Sequence, residues 1–148
     1  MSVDNPHLVP TLELREGERV IESFRADRGT YWRDHAWMSV IAMAGGMAIL
    51  WAIGNAHVWT GAIGGLAAIA LRGWYVASDE LGMRWDLTNQ RLLGPMGRAV
   101  ELSDIAALRV LGSAVQVVTR GGDKHLMKFQ PDRDATRARI EAARGGQA

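Results

Sequence analysis

The sequence contains no cysteine. This absence excludes a disulfide-bonded scaffold, a thiolate metal site and a cysteine nucleophile. Charge is also missing from one long stretch. The 42 residues from Trp37 to Ser78 carry a single charged side chain, Arg72, although charged residues make up 22% of the chain. Soluble domains rarely confine their charge to the two ends of the sequence, so the middle third is predicted to face a solvent other than water.

The remaining composition argues against several functions. The net charge of +1 lacks the basic excess or concentrated basic patch that nucleic-acid binders usually carry. The four histidines are dispersed, and no HxxxH or HExxH spacing predicts a metal site. No paired acids, nucleophile elbow or phosphate loop is present. We therefore expect no enzymatic activity, no metal and no cofactor.

The uncharged region is predicted to form two membrane-spanning helices at about 36–54 and 57–77. A spanning helix needs about 20 predominantly apolar residues, and the region 37–77 is too long for one span. It divides at Gly54–His57, where glycine and asparagine favour a turn. The alternative is a hairpin buried in the core of a soluble helical protein. Both segments are apolar on every face, which favours the membrane.

Flanking charges predict the orientation of this hairpin. The arginines that flank the first segment are Arg19, Arg25, Arg28 and Arg33, whereas Arg72, Arg84 and Arg91 end or follow the second. Basic flanks stay in the cytoplasm, so a multi-pass protein with both termini cytoplasmic is expected. Arg72 lies about one turn before Tyr75, close enough to reach the headgroups. A functional arginine within the membrane is the alternative reading of Arg72.

Small residues are abundant in both segments. Gly61 and Gly65 form a GxxxG step on the second, and Gly45 and Gly46 lie on the first. Such residues let helix backbones approach closely in lipid. We predict that these four glycines pack the two helices of the hairpin together. A docking groove for another membrane protein is the alternative.

After residue 78 the hydrophobic period changes to two, which predicts strands. Met83, Trp85 and Leu87 alternate with polar residues, which is typical of a half-buried strand. Turn signals divide 83–129 into about six short strands, and Asp132 begins a helix that runs to about Arg144. The apolar face of that helix is predicted to use Ala135, Ala138, Ile140 and Ala142. The predicted soluble part is thus a small antiparallel sheet or half-barrel capped by a C-terminal helix, and the fold class is an α+β membrane protein.

Several motifs resemble the bacterial pleckstrin-homology-like family. The segment 85–93, WDLTNQRLL, resembles the aromatic-x-Leu-Thr-Asn-x-Arg signature that opens these domains. The segment 16–21, EGERVI, resembles the lead that precedes their membrane helices, and 100–105 and 129–132 resemble later segments. The resemblance implies a domain over 78–148 after a two-helix anchor at 37–77, with 1–36 as a cytoplasmic N-terminal segment. It also implies a bacterial inner (cytoplasmic) membrane. A full fold of this family has seven strands, and Leu12–Phe24 is a candidate for the additional one.

The resemblance and the lack of catalytic residues together predict an interaction module. The expected role is an accessory or assembly factor of a larger inner-membrane protein complex. The alternative is an anionic-lipid-binding module, because basic residues around the first hairpin of eukaryotic pleckstrin-homology domains bind phosphoinositides. By analogy Arg84, Arg91 and Arg98, together with Arg72, are candidate headgroup or partner contacts. An ordinary solvated surface is the simpler reading of these arginines. Membrane lipids and an integral membrane complex are the expected partners, and self-association is left open.

Overall fold

The computed structural model describes residues 5–146, which form two compact units. One unit combines the residues up to Thr30 with those from Asp79 onward, and the other is Tyr31–Ser78. The predicted limits of 1–36, 37–77 and 78–148 treat the N-terminal residues as a separate segment. In the structure the residues up to Thr30 join the unit that follows the hairpin, because one of their strands pairs within its sheet.

The smaller unit is formed by two helices. Helix α1 spans Arg28–Ala52 and helix α2 spans Thr60–Gly82, so the outer end of each helix continues into the other unit. In the turn between them Gly54 has a φ of 73°, which glycine adopts without a steric penalty. The side-chain oxygen of Asn55 accepts a hydrogen bond from the His57 N–H at 2.7 Å. Both helices extend beyond the predicted limits of 36–54 and 57–77 at their outer ends, because the polar residues there are also helical, and both end short of those limits at the turn.

The two helices contact each other through their backbones at glycines. A side chain at Gly46 would collide with the backbone of Gly61, and one at Gly65 would collide with Ala42. The contact positions rise along one helix as they fall along the other, so the helices are antiparallel. Gly45 differs from the other three predicted packing glycines, since a Cβ there would meet nothing within 4 Å. It lies about 100° around the helix from Gly46 and faces away from α2.

Of the described helices, only α1 is long and apolar enough to cross a membrane. Its most apolar window of 18 residues has a mean hydropathy of 1.4, and 6% of that window is buried. The prediction that α2 would meet the same criterion is wrong. Arg72 interrupts the apolar part of α2, and its glycines add no apolar side chain. Composition therefore supports one spanning segment and does not support a multi-pass protein.

The larger unit contains two antiparallel sheets and a helix. The first sheet has the order β1-β2-β3-β4, and the second has the order β5-β6-β7. Their bounds are Val20–Arg25 for β1, Arg84–Thr88 for β2, Arg91–Leu93 for β3, Ala99–Glu101 for β4, Ile105–Leu111 for β5, Ala114–Thr119 for β6 and Lys124–Met127 for β7. Helix α3 spans Arg133–Gly145. The six strands and one helix predicted after the hairpin are confirmed, and β1 supplies a seventh strand.

Alternating apolar residues from both sheets form one core. Trp85 and Leu87 of β2 contribute to it together with Phe24 of β1 and Val117 of β6. Ile140 of α3 is fully buried against the same cluster. The core therefore depends on β1 and α3 as well as on the six strands that follow the hairpin.

Two predicted faces differ from the structure. Strand β2 is buried on both faces, since Asp86 and Thr88 are 8% and 0% exposed, whereas a half-buried strand was predicted. The face of α3 that packs on the core uses Thr136, Ile140 and Ala143. These residues are spaced at four and three, so they lie on one side of a helix. The predicted alanines 135, 138 and 142 are exposed.

The glycine contact gives a prediction with a matched control one residue away. We expect Gly46→Leu to destabilise the helix pair by about 1–3 kcal/mol or more, because the new side chain overlaps the Gly61 backbone. Gly45→Leu adds the same side chain and the same gain in helix propensity in open space, and should melt at or above the temperature of the wild type. Thermal melting of the chain in detergent micelles measures the difference. Equal melting temperatures for the two variants would contradict the backbone contact.

Candidate functional site

Residues 8–19, which we call the N-terminal strap, run along the first sheet. The Arg84 N–H donates to the Leu8 carbonyl at 2.9 Å, and Arg91 donates from its guanidinium to the Glu13 carbonyl at 3.0 Å. Val9 within the strap is 6% exposed. Because Trp85 and Leu87 point into the core, Asp86 and Thr88 point to the opposite face. On that second face Thr88 bonds to Glu18 of the strap, whereas Asp86 is bonded by Ser23 of β1 and paired with Arg84.

A buried ion pair fastens the strap to the sheet. Arg91 donates to both carboxylate oxygens of Glu18, at 3.0 Å and 2.8 Å, and the two side chains are 7% and 0% exposed. Thr88 donates its hydroxyl to the same carboxylate at 2.7 Å. Such a bidentate pair is both directional and strong. The two segments on which the family resemblance depends, 16–21 and 85–93, therefore contact each other.

Asn89 completes this contact. Its side-chain oxygen accepts from the Arg19 N–H at 2.9 Å, and its amide donates to the Gly17 carbonyl at 3.1 Å. Gly17 has a φ of 74°, which a side chain would disfavour. The Thr, Asn and Arg residues of the Thr-Asn-x-Arg pattern thus all bind the strap, which gives them a structural role.

The ion pair shifts the acidity of both partners. Hydrogen bonds from Arg91 hold the pKa of Glu18 at about 2, against an ordinary value of 4.5, although burial acts in the opposite direction. The hydrogen bond to Glu18 raises the pKa of Arg91. Both side chains are therefore charged at neutral pH.

The predicted headgroup contacts occupy different environments. Arg91 is buried against Glu18 and has no free face for a lipid. Arg84 forms an ion pair with Asp86 at 3.1 Å. Arg98 is half-buried, and Arg72 is exposed but belongs to the helical unit. The first hairpin of the sheet therefore presents fewer available cations than the sequence indicates.

The described residues include no group of three or more His, Asp or Glu side chains that could hold a metal ion. His125 lies 6.2 Å from the ring of Trp85. Burial lowers its pKa, and the charge of Arg98 acts in the same direction. A neutral, half-buried imidazole beside an indole fits a packing role.

A groove between β1 and α3 has a volume of about 240 Å³. One wall is residues 22–25 of β1, and the other is 130–132 with Ala135, Thr136 and Arg139 of α3. Thr136 donates its hydroxyl to the side-chain oxygen of Gln130 at 3.1 Å, and both residues are buried. Sequence reasoning missed this groove, because β1 was recognised only as a candidate strand.

Charges within the groove are partly compensated. Glu22 forms an ion pair with Arg139 at 3.4 Å. Asp132 caps α3 by accepting a hydrogen bond from the Ala135 N–H. Arg25 is exposed, and within residues 5–146 no ion pair involves it. The groove is therefore a polar cavity lined by two acids and two arginines, of which Arg25 has no ion-pair partner among the described residues.

The Glu18–Arg91 pair predicts a pH-dependent stability. Because the pKa of Glu18 is lower in the folded state, the pair stabilises the fold fully above about pH 4.5, and this contribution is lost as pH falls toward 2. A shift of this size corresponds to roughly 3–4 kcal/mol. We expect Glu18→Gln to lower the free energy of unfolding at pH 7 and to weaken its dependence on pH below 4.5. Urea unfolding followed by the fluorescence of Trp85, with the other tryptophans replaced by phenylalanine, measures both. Parallel pH curves for the two proteins would contradict this role.

No protein-family model matches the chain, and comparisons with curated proteins and with solved structures found no match. The relation to the bacterial pleckstrin-homology-like family thus stays a resemblance of motifs.

Proposed function

We propose that this chain is a non-enzymatic interaction module anchored in a bacterial inner membrane, where it serves as an accessory or assembly factor of a larger protein complex. The helical hairpin is the anchor, and the two-sheet unit is the module. The observation that carries the proposal is the position of the hairpin in the chain. It lies between β1 and β2, which pair with each other.

This pairing supports two membrane crossings. Strand β1 precedes α1, and β2 follows α2, yet Phe24 lies opposite Trp85 in one sheet. The chain that leaves the sheet unit at α1 therefore returns to the same side of the membrane. The number of crossings is even, so if α1 crosses the membrane, α2 is the segment that returns.

Contact with α1 offsets the weak hydropathy of α2. The backbones of Gly61 and Gly65 lie directly against α1, and close packing of this kind is how helices associate in lipid. Large apolar side chains on the outer faces are exposed, including Trp51, Leu71 and Trp74. A helix pair that exposes such side chains is suited to lipid, and it would enter the membrane as one hairpin with both termini cytoplasmic.

The two-sheet unit supports the pleckstrin-homology-like interpretation. Seven strands arranged as four and three, followed by a C-terminal helix, agree with the seven-stranded fold that the resemblance implies. The signature residues Thr88, Asn89 and Arg91 bind the strap, so their role is to hold the fold. The unit offers a rigid surface and a polar groove, which favours recognition over chemistry.

Lipid binding by the sheet unit is the less supported alternative. It would depend on Arg98 and Arg72, because Arg91 is paired with Glu18 and Arg84 with Asp86. Exposed cations contribute about 1 kcal/mol each near an anionic surface. Such a contribution would assist an anchored protein without defining its function.

The absence of cysteine allows a direct test of the two crossings. We expect Ala56→Cys, in the turn between the helices, to react with a membrane-impermeant maleimide in intact spheroplasts. Gly121→Cys, in the turn between β6 and β7, should react only after permeabilisation. Both positions are exposed, so protection reports the membrane and not burial. Protection of both residues in intact cells would exclude the hairpin anchor.

The assembly role is tested by purification of the tagged full chain from native membranes in mild detergent. We expect an integral membrane complex to co-purify at a fixed stoichiometry, with a tagged unrelated membrane protein of similar abundance as the control. Mass spectrometry identifies the subunits. Recovery of only free monomer or homo-oligomer across growth conditions would argue against an accessory role.

A further inference from the structure

Strand β1 is the outermost strand of its sheet. The order β1-β2-β3-β4 leaves one backbone edge of β1 without a strand partner among the described residues. Proteins commonly cover or blunt such edges, because unpaired N–H and C=O groups readily accept a further strand. The β1 edge runs for six residues and carries exposed Ile21, Ser23 and Arg25.

The groove follows this edge. Four consecutive residues of β1, 22–25, line it, as is expected where the edge of a strand borders a groove, because successive side chains of a strand point to opposite faces. The facing wall is the chain that leads into α3 and the first turns of that helix. A channel between a strand edge and a helix fits an extended segment, which binds through its main chain and places alternate side chains on either side.

We propose that the groove between β1 and α3 binds an extended acidic segment of a partner protein, which adds to the first sheet as a further strand beside β1. This inference rests on the proposed function, for which it names the docking site and the chemistry of the partner.

Charge is the first argument for this occupant. Glu22 and Asp132 are already engaged, by Arg139 and by the N-terminus of α3 respectively. Arg25 is exposed at the groove with no ion pair within the described residues. The rim therefore presents a positive charge to an incoming segment, and a carboxylate on that segment would complement it.

The unpaired edge of β1 is the second argument. That edge borders the groove, so the segment is expected to pair its main-chain N–H and C=O groups with β1 and to place carboxylates at Arg25.

The groove is also held in shape before anything binds. Phe129 has a φ of 56°, a conformation that is rare for an aromatic residue, and its carbonyl accepts from the Asp27 N–H at 2.7 Å. This bond joins the chain after β1 to the chain before α3 at one end of the groove. Gln130 is fixed by its N–H bond to the Ser113 carbonyl at 3.0 Å. Preorganised walls reduce the entropy lost on binding.

The test uses the full chain in lipid nanodiscs and a displayed library of random linear peptides. We expect enrichment of acidic sequences. A synthetic peptide from the enriched set should bind at least tenfold more weakly to Arg25→Glu than to the wild type. Arg109→Glu reverses an exposed charge on β5, outside the groove, and should leave the affinity within twofold. Failure to enrich peptides, enrichment without an acidic bias, or equal affinities for the wild type and Arg25→Glu would overturn the proposal.

Main-chain pairing is tested on the unaltered protein. N-methylation of the peptide at successive positions should abolish binding only at alternate residues, whose N–H groups face β1. If the peptide still binds when any of its positions is N-methylated, strand addition is overturned. This result does not depend on whether the arginine variants fold.

Co-purification separates the two proposals. If the complex from native membranes is retained by Arg25→Glu as well as by the wild type, the groove is not its docking site and the assembly role stands. If the wild-type chain has no complex while peptides bind the groove, the assembly role fails and the groove assignment stands.

Discussion

The pairing of β1 with β2 is the constraint on which the larger unit depends, because an entire helical hairpin separates these strands in sequence. Their contact brings Phe24 to the core beside Trp85, and it places the strap on the other face of β2. The Glu18–Arg91 pair fixes the approach to β1 at the far end of β2. Removal of one partner would leave a buried charge uncompensated, which costs about 3–5 kcal/mol. A fragment that begins at residue 79 would lack both Phe24 and Glu18. It would therefore expose part of the core and leave Arg91 without the acid that pairs with it.

Local patterns in the sequence predict most of the secondary structure in this unit. A period of two and clear turn signals identify β2 to β7, and a capping aspartate followed by a helical period identifies α3. The patterns do not identify which elements cover each other. Asp86 and Thr88 look like a solvated face because their spacing carries no information about the residues that contact them. The acid that pairs with Arg91 lies 73 positions away, among 16 acidic residues, and no local signal selects it.

The hairpin has a similar limit. Adjacent glycines predict close helix contact, yet only the rotation of each helix decides which glycine of a pair is used. Gly46 and Gly65 meet the opposite backbone, whereas Gly45 and Gly64 do not. Hydropathy separates the helices in another way, since α1 is apolar enough to span a membrane and α2 is not. A window average treats each helix alone, whereas the pairing of the strands on either side of the hairpin means that, if α1 crosses a membrane as proposed, α2 must return. Two of the candidate headgroup contacts, Arg84 and Arg91, form ion pairs within the fold. The spacing of basic residues along the sequence does not predict these pairs.

The two edges of β1 differ in what they contribute to the fold and to the proposed recognition of a partner. One edge is paired with β2 and is anchored by the strap, so it contributes to global stability. The other edge borders a groove whose charged residues are half-buried or exposed, and interfaces of this polarity suit partners that associate and leave. A segment that binds the second edge binds only the folded state, so it also stabilises the β1–β2 pairing by mass action. Strand β1 thus has two roles. It completes the first sheet across the inserted hairpin, and a partner bound to its other edge would stabilise its pairing with β2.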